Sequence, residues 1–291
     1  MRGHRDNLQE KRRRWVPAFA GTTSKKQRSK WIPAYAGMTK YRSDNPKSKF
    51  EIASAEHNKT TLLVMKSPHP LDNPVWSSLT TRHASLAQIA GRARRYPADV
   101  APFAAIAAGD DDALADIERL VDRDELVIFV GVAPRLGDGW RIEQSVPIAQ
   151  MVRDERLDVP AGPPVIEIAS ERQIADLLAL TALVYPHYFR PRTIAMGRYV
   201  AIYDGERLAA MAGERMHCEG HREISAVCTH PDYLGRGYAR RLIALLTNAI
   251  IDRGEQPFLH FSHENTRAKA LYERLGFVFR ADIPLLVATR L

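Results

Sequence analysis

The sequence predicts an α/β chain (α+β under some conventions). Strand-like runs alternate with amphipathic helical runs, and one alternation carries two glycines between strand and helix. In chain order, Asp112 to Val121 reads as a helix, and Glu125 to Val132 and Val146 to Met151 read as strands. Residues 158–164, Asp-Val-Pro-Ala-Gly-Pro-Pro, form a linker by composition. They separate a first part, residues 65–157, from a second, residues 165–291. In the second part Glu223 to Thr229 carries Ile224, Val227 and Thr229, which suit a half-buried strand, and Pro231 with Asp232 ends it. From Ala239 the apolar positions Leu242, Ile243, Leu245, Leu246, Ala249 and Ile250 keep helical spacing. Pro257 to Phe261 is a further strand, and the helix after it stops at Gly276.

Between the Glu223 strand and the Ala239 helix stand Gly235 and Gly237. The free N–H groups of a helix's first turn attract anions, and Arg236, Arg240 and Arg241 add positive charge, so the turn suits a phosphate. It is not a P-loop, because Tyr238 and Ala239 follow Gly237 where Lys and Ser/Thr are required. Nor is it a dinucleotide fingerprint. Arg240 stands where the third glycine belongs, and the strand Pro257 to Phe261 supplies no acidic residue for a ribose.

Leu234-Gly235-Arg236-Gly237-Tyr238-Ala239 resembles the acyl-CoA-binding motif of the GNAT superfamily of N-acyltransferases, Gln/Arg-x-x-Gly-x-Gly/Ala, with Leu234 departing from the first position. Downstream, Asn265, Ala268, Leu271, Tyr272, Leu275, Gly276 and Phe277 reproduce that family's Asn-x-x-Ala-x-x-Leu-Tyr-x-x-x-Gly-Phe segment. The resemblance runs roughly from Pro164 to Leu291. It implies a mixed, mostly antiparallel sheet flanked by helices, in which the Pro257 strand splays from the Glu223 strand. The first part resembles the degenerate N-terminal half of a GNAT branch related to glycine N-acyltransferases.

The resemblance further implies transfer of an acetyl group from acetyl-CoA to a primary amine of a small molecule or amino acid by direct attack. An alkylammonium of pKa about 10 must lose a proton, the thioester carbonyl must be polarised and the thiolate quenched. Glu223, eleven residues before Leu234, matches the family's catalytic glutamate and is expected at the cleft edge; an exposed strand residue without a role is the other reading, and Glu214 is the reserve. The backbone N–H of Val227 is expected to polarise the carbonyl, and the backbone at Thr229 to pair with the pantetheine arm. Tyr272 is the expected acid, or else a core aromatic on the Ala268, Leu271, Leu275 stripe. Asn265 can touch pantetheine, serve as an N-cap, or do both. Cofactor binding falls to Leu234 through Arg240, together with Val227, Thr229, Asn265 and Tyr272. Tyr185, His187, Tyr188 and Phe189, within the loop Val184 to Met196, are expected to line the amine site with Glu214. Two other classes stay in view: a non-catalytic acyl-CoA sensor, and a nucleic-acid binder acting through a basic tail.

That tail explains a misleading composition. The net charge is +8, yet residues 1–64 hold 15 Lys and Arg against 5 Asp and Glu, a balance of +10, while the other 227 residues hold 27 against 29, or −2. Within it the peptide from Trp15 to Thr23 recurs from Trp31 to Thr39. Three readings compete: a nucleic-acid arm, a targeting segment, or translated upstream DNA with a start at Met65. The last is favoured, so nucleic acid is not expected as a partner. Cys218 and Cys228 read as reduced thiols on neighbouring strands, and His260 with His263 lack a third ligand, so no metal is expected. No apolar run approaches a bilayer's thickness, and the chain reads as cytoplasmic, with no membrane partner.

Overall fold

A computed structural model of the chain describes residues 69–110, 112–184 and 188–291. The tail of residues 1–64 lies outside them. The first part opens with a single 3-10 turn, Pro70–Asp72, and helix α1, Pro74–Thr80; both begin with proline, whose missing N–H is harmless there. Strands β1 (Gln88–Ala90), β2 (Ala93–Arg95) and β3 (Ala104–Ile106) form a small antiparallel sheet in that order. Helix α2 (Leu114–Glu118) and strands β4 (Leu126–Val130) and β5 (Trp140–Val152) follow. The second part runs β6 (Ile166–Glu167), α3 (Glu171–Val184), β7 (Tyr199–Asp204), β8 (Arg207–Cys218), β9 (His221–Thr229), α4 (Tyr238–Ile251), β10 (Gln256–Ser262), α5 (Thr266–Arg274) and β11 (Val278–Arg290).

The main sheet has eight strands in the order β4-β11-β5-β10-β9-β8-β7-β6, and every neighbouring pair is antiparallel except β9 with β10. This is the mixed, mostly antiparallel α/β sheet expected from the sequence. It takes strands from both sides of residues 158–164, because β5 lies between β10 and β11. β5 is longer than its sequence signal, since β11 pairs with it from Trp140 to Val152. α2 is shorter than the expected helix. The 153–164 segment is fastened to α4: Asn248 exchanges two hydrogen bonds with the backbone of Leu157, and Arg241 donates to the carbonyls of Pro160 and Pro163.

Period-2 alternation puts a core on each face of the sheet. Val200, Ile202, Ala212, Ile224, Leu259 and Phe261 pack with Leu242, Ile243, Leu246 and Ile250 of α4 and Tyr272 of α5. On the opposite face Tyr199, Ala201, Met211 and Cys228 meet Leu177 and Leu180 of α3. Ile148, Met216, Cys218 and Phe258 meet Leu71, Val75 and Leu79 from the chain's first part. Among the described residues no helix is long and apolar enough to cross a membrane.

Candidate active site

β9 and β10 part company soon after they meet. Their parallel register covers only His221 to Glu223 against Gln256 to Phe258. Beyond it β10 stays with β5 as far as Ser262, while β9 stays with β8 as far as Thr229. A wedge therefore opens between two strands that are each anchored on their outer side, as the sequence resemblance implied.

Two bulges shape the walls of this wedge. Met211 pairs with Cys228 and Gly213 with Ser225, so one extra residue stands on β9 at Ala226–Val227. Ala226 takes φ +51°, a conformation that costs an L-residue roughly 1–2 kcal/mol and here releases the bulge from the ladder. Val227 sits in the bulge and Thr229 ends the strand. The second bulge is on β8. Glu214 pairs with Ile224 and His217 with Arg222, leaving Arg215 and Met216 together opposite Glu223.

At the wide end of the wedge, Leu234 closes a 3-10 turn, Pro231–Tyr233, and Gly235 and Gly237 adopt φ +79° and +78°. A Cβ at either glycine would meet nothing within 4 Å, so open space lies over the turn. The first ladder bond of α4 runs from Arg241 N–H to Gly237 O at 3.1 Å, and the amides before it lie at the helix's open, positive end. Arg236 and Arg240 are exposed, and Arg236 stacks 4.8 Å above the ring of Tyr233, which itself packs against Tyr238. Ala239 is half-buried. Arg241 does not contribute the free charge expected of it, because the carbonyls of Pro160 and Pro163 engage its guanidinium.

Glu223 is not at a cleft edge. It is fully buried, and Arg215 grips it at two points, Nε to Oε2 at 2.7 Å and Nη2 to Oε1 at 2.6 Å. The Met216 amide and His260 Nδ1 also reach it, the latter at 2.8 Å from Oε1. Gln150 Nε2 lies 2.9 Å from His260 Nε2 and donates to Leu71 O, while Gln150 Oε1 accepts from Arg280. That donor pattern makes His260 Nε2 an acceptor and leaves its proton on Nδ1, facing Glu223. Burial pushes the Glu223 carboxyl up, but Arg215, with help from His260, outweighs it and holds the group at about 2. Alternation along one strand could not reveal this, because the bulge on β8 and a histidine on β10 create it. Glu214, expected at the amine site, is equally enclosed, ion-paired with Arg222 at 2.7 Å and Arg253 at 2.5 Å.

Tyr272 is buried, its ring 5.6 Å from Phe261 of β10 and 6.2 Å from Phe277. Asn265 is the N-cap of α5, its Oδ1 accepting from Ala268 N at 2.9 Å. Tyr188 packs against the core shared with the first part, and Phe189 meets the Tyr199 ring edge-on at 5.4 Å. Tyr185 and His187 lie outside the described residues. His263 pairs with Asp282 at 2.6 Å, and among the described residues no group of three or more His, Cys, Asp or Glu side chains could hold a metal ion. Cys218 and Cys228 are free and buried at opposite ends of the β8–β9 pair, and burial pushes both thiols up to about 12.

Comparison with known proteins fits this geometry. The family described as FR47-like protein matches residues 199–282, from β7 into β11. A solved structure from Novosphingobium aromaticivorans, described as an acetyltransferase of the GNAT family, is 33% identical, with 77% of this chain and 99% of that one covered at a TM-score of 0.70. A GCN5-related N-acetyltransferase from Kribbella flavida shares the fold at 19% identity and a TM-score of 0.53, over 77% of this chain and 96% of that one. No curated protein matches this chain. A wedge between β9 and β10, a glycine turn at the start of α4, and a relative at this identity over nearly its whole length lead to one assignment: the chain belongs to the GNAT family and is an acyltransferase.

Proposed function

We propose that the chain moves an acetyl group from acetyl-CoA to the primary amine of a small molecule or an amino acid by direct attack. The observation that carries this reading is the glycine turn at the open end of α4, placed at the mouth of the wedge between β9 and β10. The donor brings a thioester, an acyl group on a good leaving group. The residues present fit it, since the space over Gly235 and Gly237 is open and the helix's positive end faces it. Leu234 to Arg240 hold the pyrophosphate through main-chain N–H groups, with Arg236 and Arg240 adding charge, so the loss of a polar side chain at Leu234 leaves the cradle intact. The backbone of Thr229 pairs with the pantetheine arm as an added strand, and Asn265 combines its capping bond with a contact to that arm. The Val227 N–H, in the bulge, faces the charge that develops on the carbonyl oxygen. Tyr272 protonates the departing thiolate. Tyr185, His187, Tyr188 and Phe189 border the amine.

Glu223 has a different role from the base its position in the motif suggests. A carboxylate held at about 2 inside the protein is a poor proton acceptor at neutral pH. With Arg215 and His260 it fixes the vertex from which the wedge opens, acting as a positioning residue. The amine then sheds its proton to bulk solvent, and kcat/KM should climb with pH toward the amine's own pKa.

Calorimetric titration of acetyl-CoA, with free CoA and ATP as controls, tests the reading together with thiol release over a panel of amines. Binding with thiol release is the expected result. Binding without release from any amine, or no binding, would remove it.

A further inference from the structure

Tyr199 stands at the start of β7 and pairs with Gly213 of β8, which pairs in turn with Ser225 at the edge of the β9 bulge. Its ring covers Gly213: a Cβ there would come within 2.2 Å of the ring. Glycine at 213 is therefore what lets the tyrosine ring lie across β8, over the residue that pairs with Ser225. Phe189, from the loop after α3, meets the ring edge-on. The residue is 2% exposed, and among the described residues its hydroxyl has no hydrogen-bond partner. Burial holds the phenol well above its ordinary range, with Arg215 opposing and Glu223 and Glu214 reinforcing, so it stays protonated at any working pH. An unpaired buried hydroxyl is destabilising, and phenylalanine would fill the same space without that cost.

We propose that the Tyr199 hydroxyl is a contact for the acceptor, its oxygen accepting an N–H from the primary amine and leaving the nitrogen lone pair directed at the thioester carbonyl beside the bulge. This rests on the transferase reading above and adds to it the group that orients the amine. Three observations converge on it: a buried polar atom in need of a partner, a glycine that makes room for the ring, and the pairing of that glycine with Ser225 at the edge of the β9 bulge.

The test is Tyr199→Phe in the full chain, assayed with glycine, lysine and benzylamine as probe amines. The melting temperature should be unchanged or raised, since the unpaired hydroxyl is gone, and the acetyl-CoA Kd should stay within about twofold. The amine KM should rise so that kcat/KM falls about tenfold, the loss of one hydrogen bond made in the bound complex and kept in the transition state. An unchanged kcat/KM would overturn the proposal, and so would a lower melting temperature accompanied by equal losses for amine and acetyl-CoA, which marks a purely structural tyrosine. If the parent protein acetylates none of the amines, the transferase reading fails first and the assignment of Tyr199 goes with it.

Discussion

Arg215 and Glu223 face each other inside the sheet because a bulge on β8 sets Arg215 and Met216 opposite a single residue of β9. The guanidinium also lies 5.0 Å over the ring of Phe103 and is nearly sealed from solvent. Removing one member of such a pair strands the other charge. Glu223→Gln should cost about 3–5 kcal/mol in urea unfolding, and replacing both residues by apolar ones should recover much of it. The folded carboxyl is depressed from 4.5 to about 2, so its contribution is present above about pH 4.5 and is lost as the pH falls toward 2. Between pH 6 and 9 the rate profile of Glu223→Gln should therefore keep the inflections of the parent at lower amplitude. A lost inflection there would restore Glu223 as the base.

The glycine turn can be tested separately from stability. Gly237 sits at φ +78° with nothing within 4 Å of an added Cβ, so Gly237→Ala should cost only the backbone strain, about 1–2 kcal/mol, and should fold. A methyl group over the cradle should nevertheless weaken acetyl-CoA by more than tenfold in calorimetry. Unchanged affinity would place the cofactor elsewhere.

These two sites mark where the sequence is legible and where it is not. The turn from Leu234 to Ala239, the helix after it, the strand at Pro257 and the cap at Asn265 are local features, each written in a few adjacent residues. The setting of Glu223 is not local. It depends on a one-residue bulge eight positions earlier, on His260 across a parallel pairing, and on Gln150 from a strand on the far side of β10. None of these partners stands at a spacing that marks it, and the eleven-residue spacing from Leu234 alone placed the carboxylate at the cleft edge. The bulge at Ala226 was equally hidden, since an alanine at positive φ carries no composition signal. Nor could the insertion of β5 between β10 and β11 be read, because pairing over more than a hundred residues leaves no periodic trace.

Tyr272 is buried with its ring against Phe261 of β10, which suits the core-aromatic reading, and the acid role proposed for it rests on its hydroxyl. Tyr272→Phe keeps the packing against Phe261 and Phe277 and removes only the hydroxyl. It should lower kcat at least tenfold while the acetyl-CoA Kd moves less than about twofold. A fall confined to affinity would assign the hydroxyl to binding.

The joint between the first part of the chain and β8 should set the acid limit of the fold. His83 Nδ1 lies 2.8 Å from Tyr96 Oη and 3.1 Å from Ser78 Oγ, and Ser78 Oγ accepts from the His217 amide. Burial, with the charges of His217 and Arg222, pushes His83 down to about 4 against a hydrogen bond involving the Met196 backbone. The unfolded chain, at about 6.5, thus binds a proton that the folded chain refuses. Stability is complete above about pH 6.5 and is lost as the pH falls toward 4. His69 and His217 are lowered as well and add to the same slope. His83→Asn can keep hydrogen bonds near the Nδ1 position but cannot titrate. Its melting temperature should fall less than the parent's between pH 7 and pH 5, and parallel falls would show that the other histidines carry the effect.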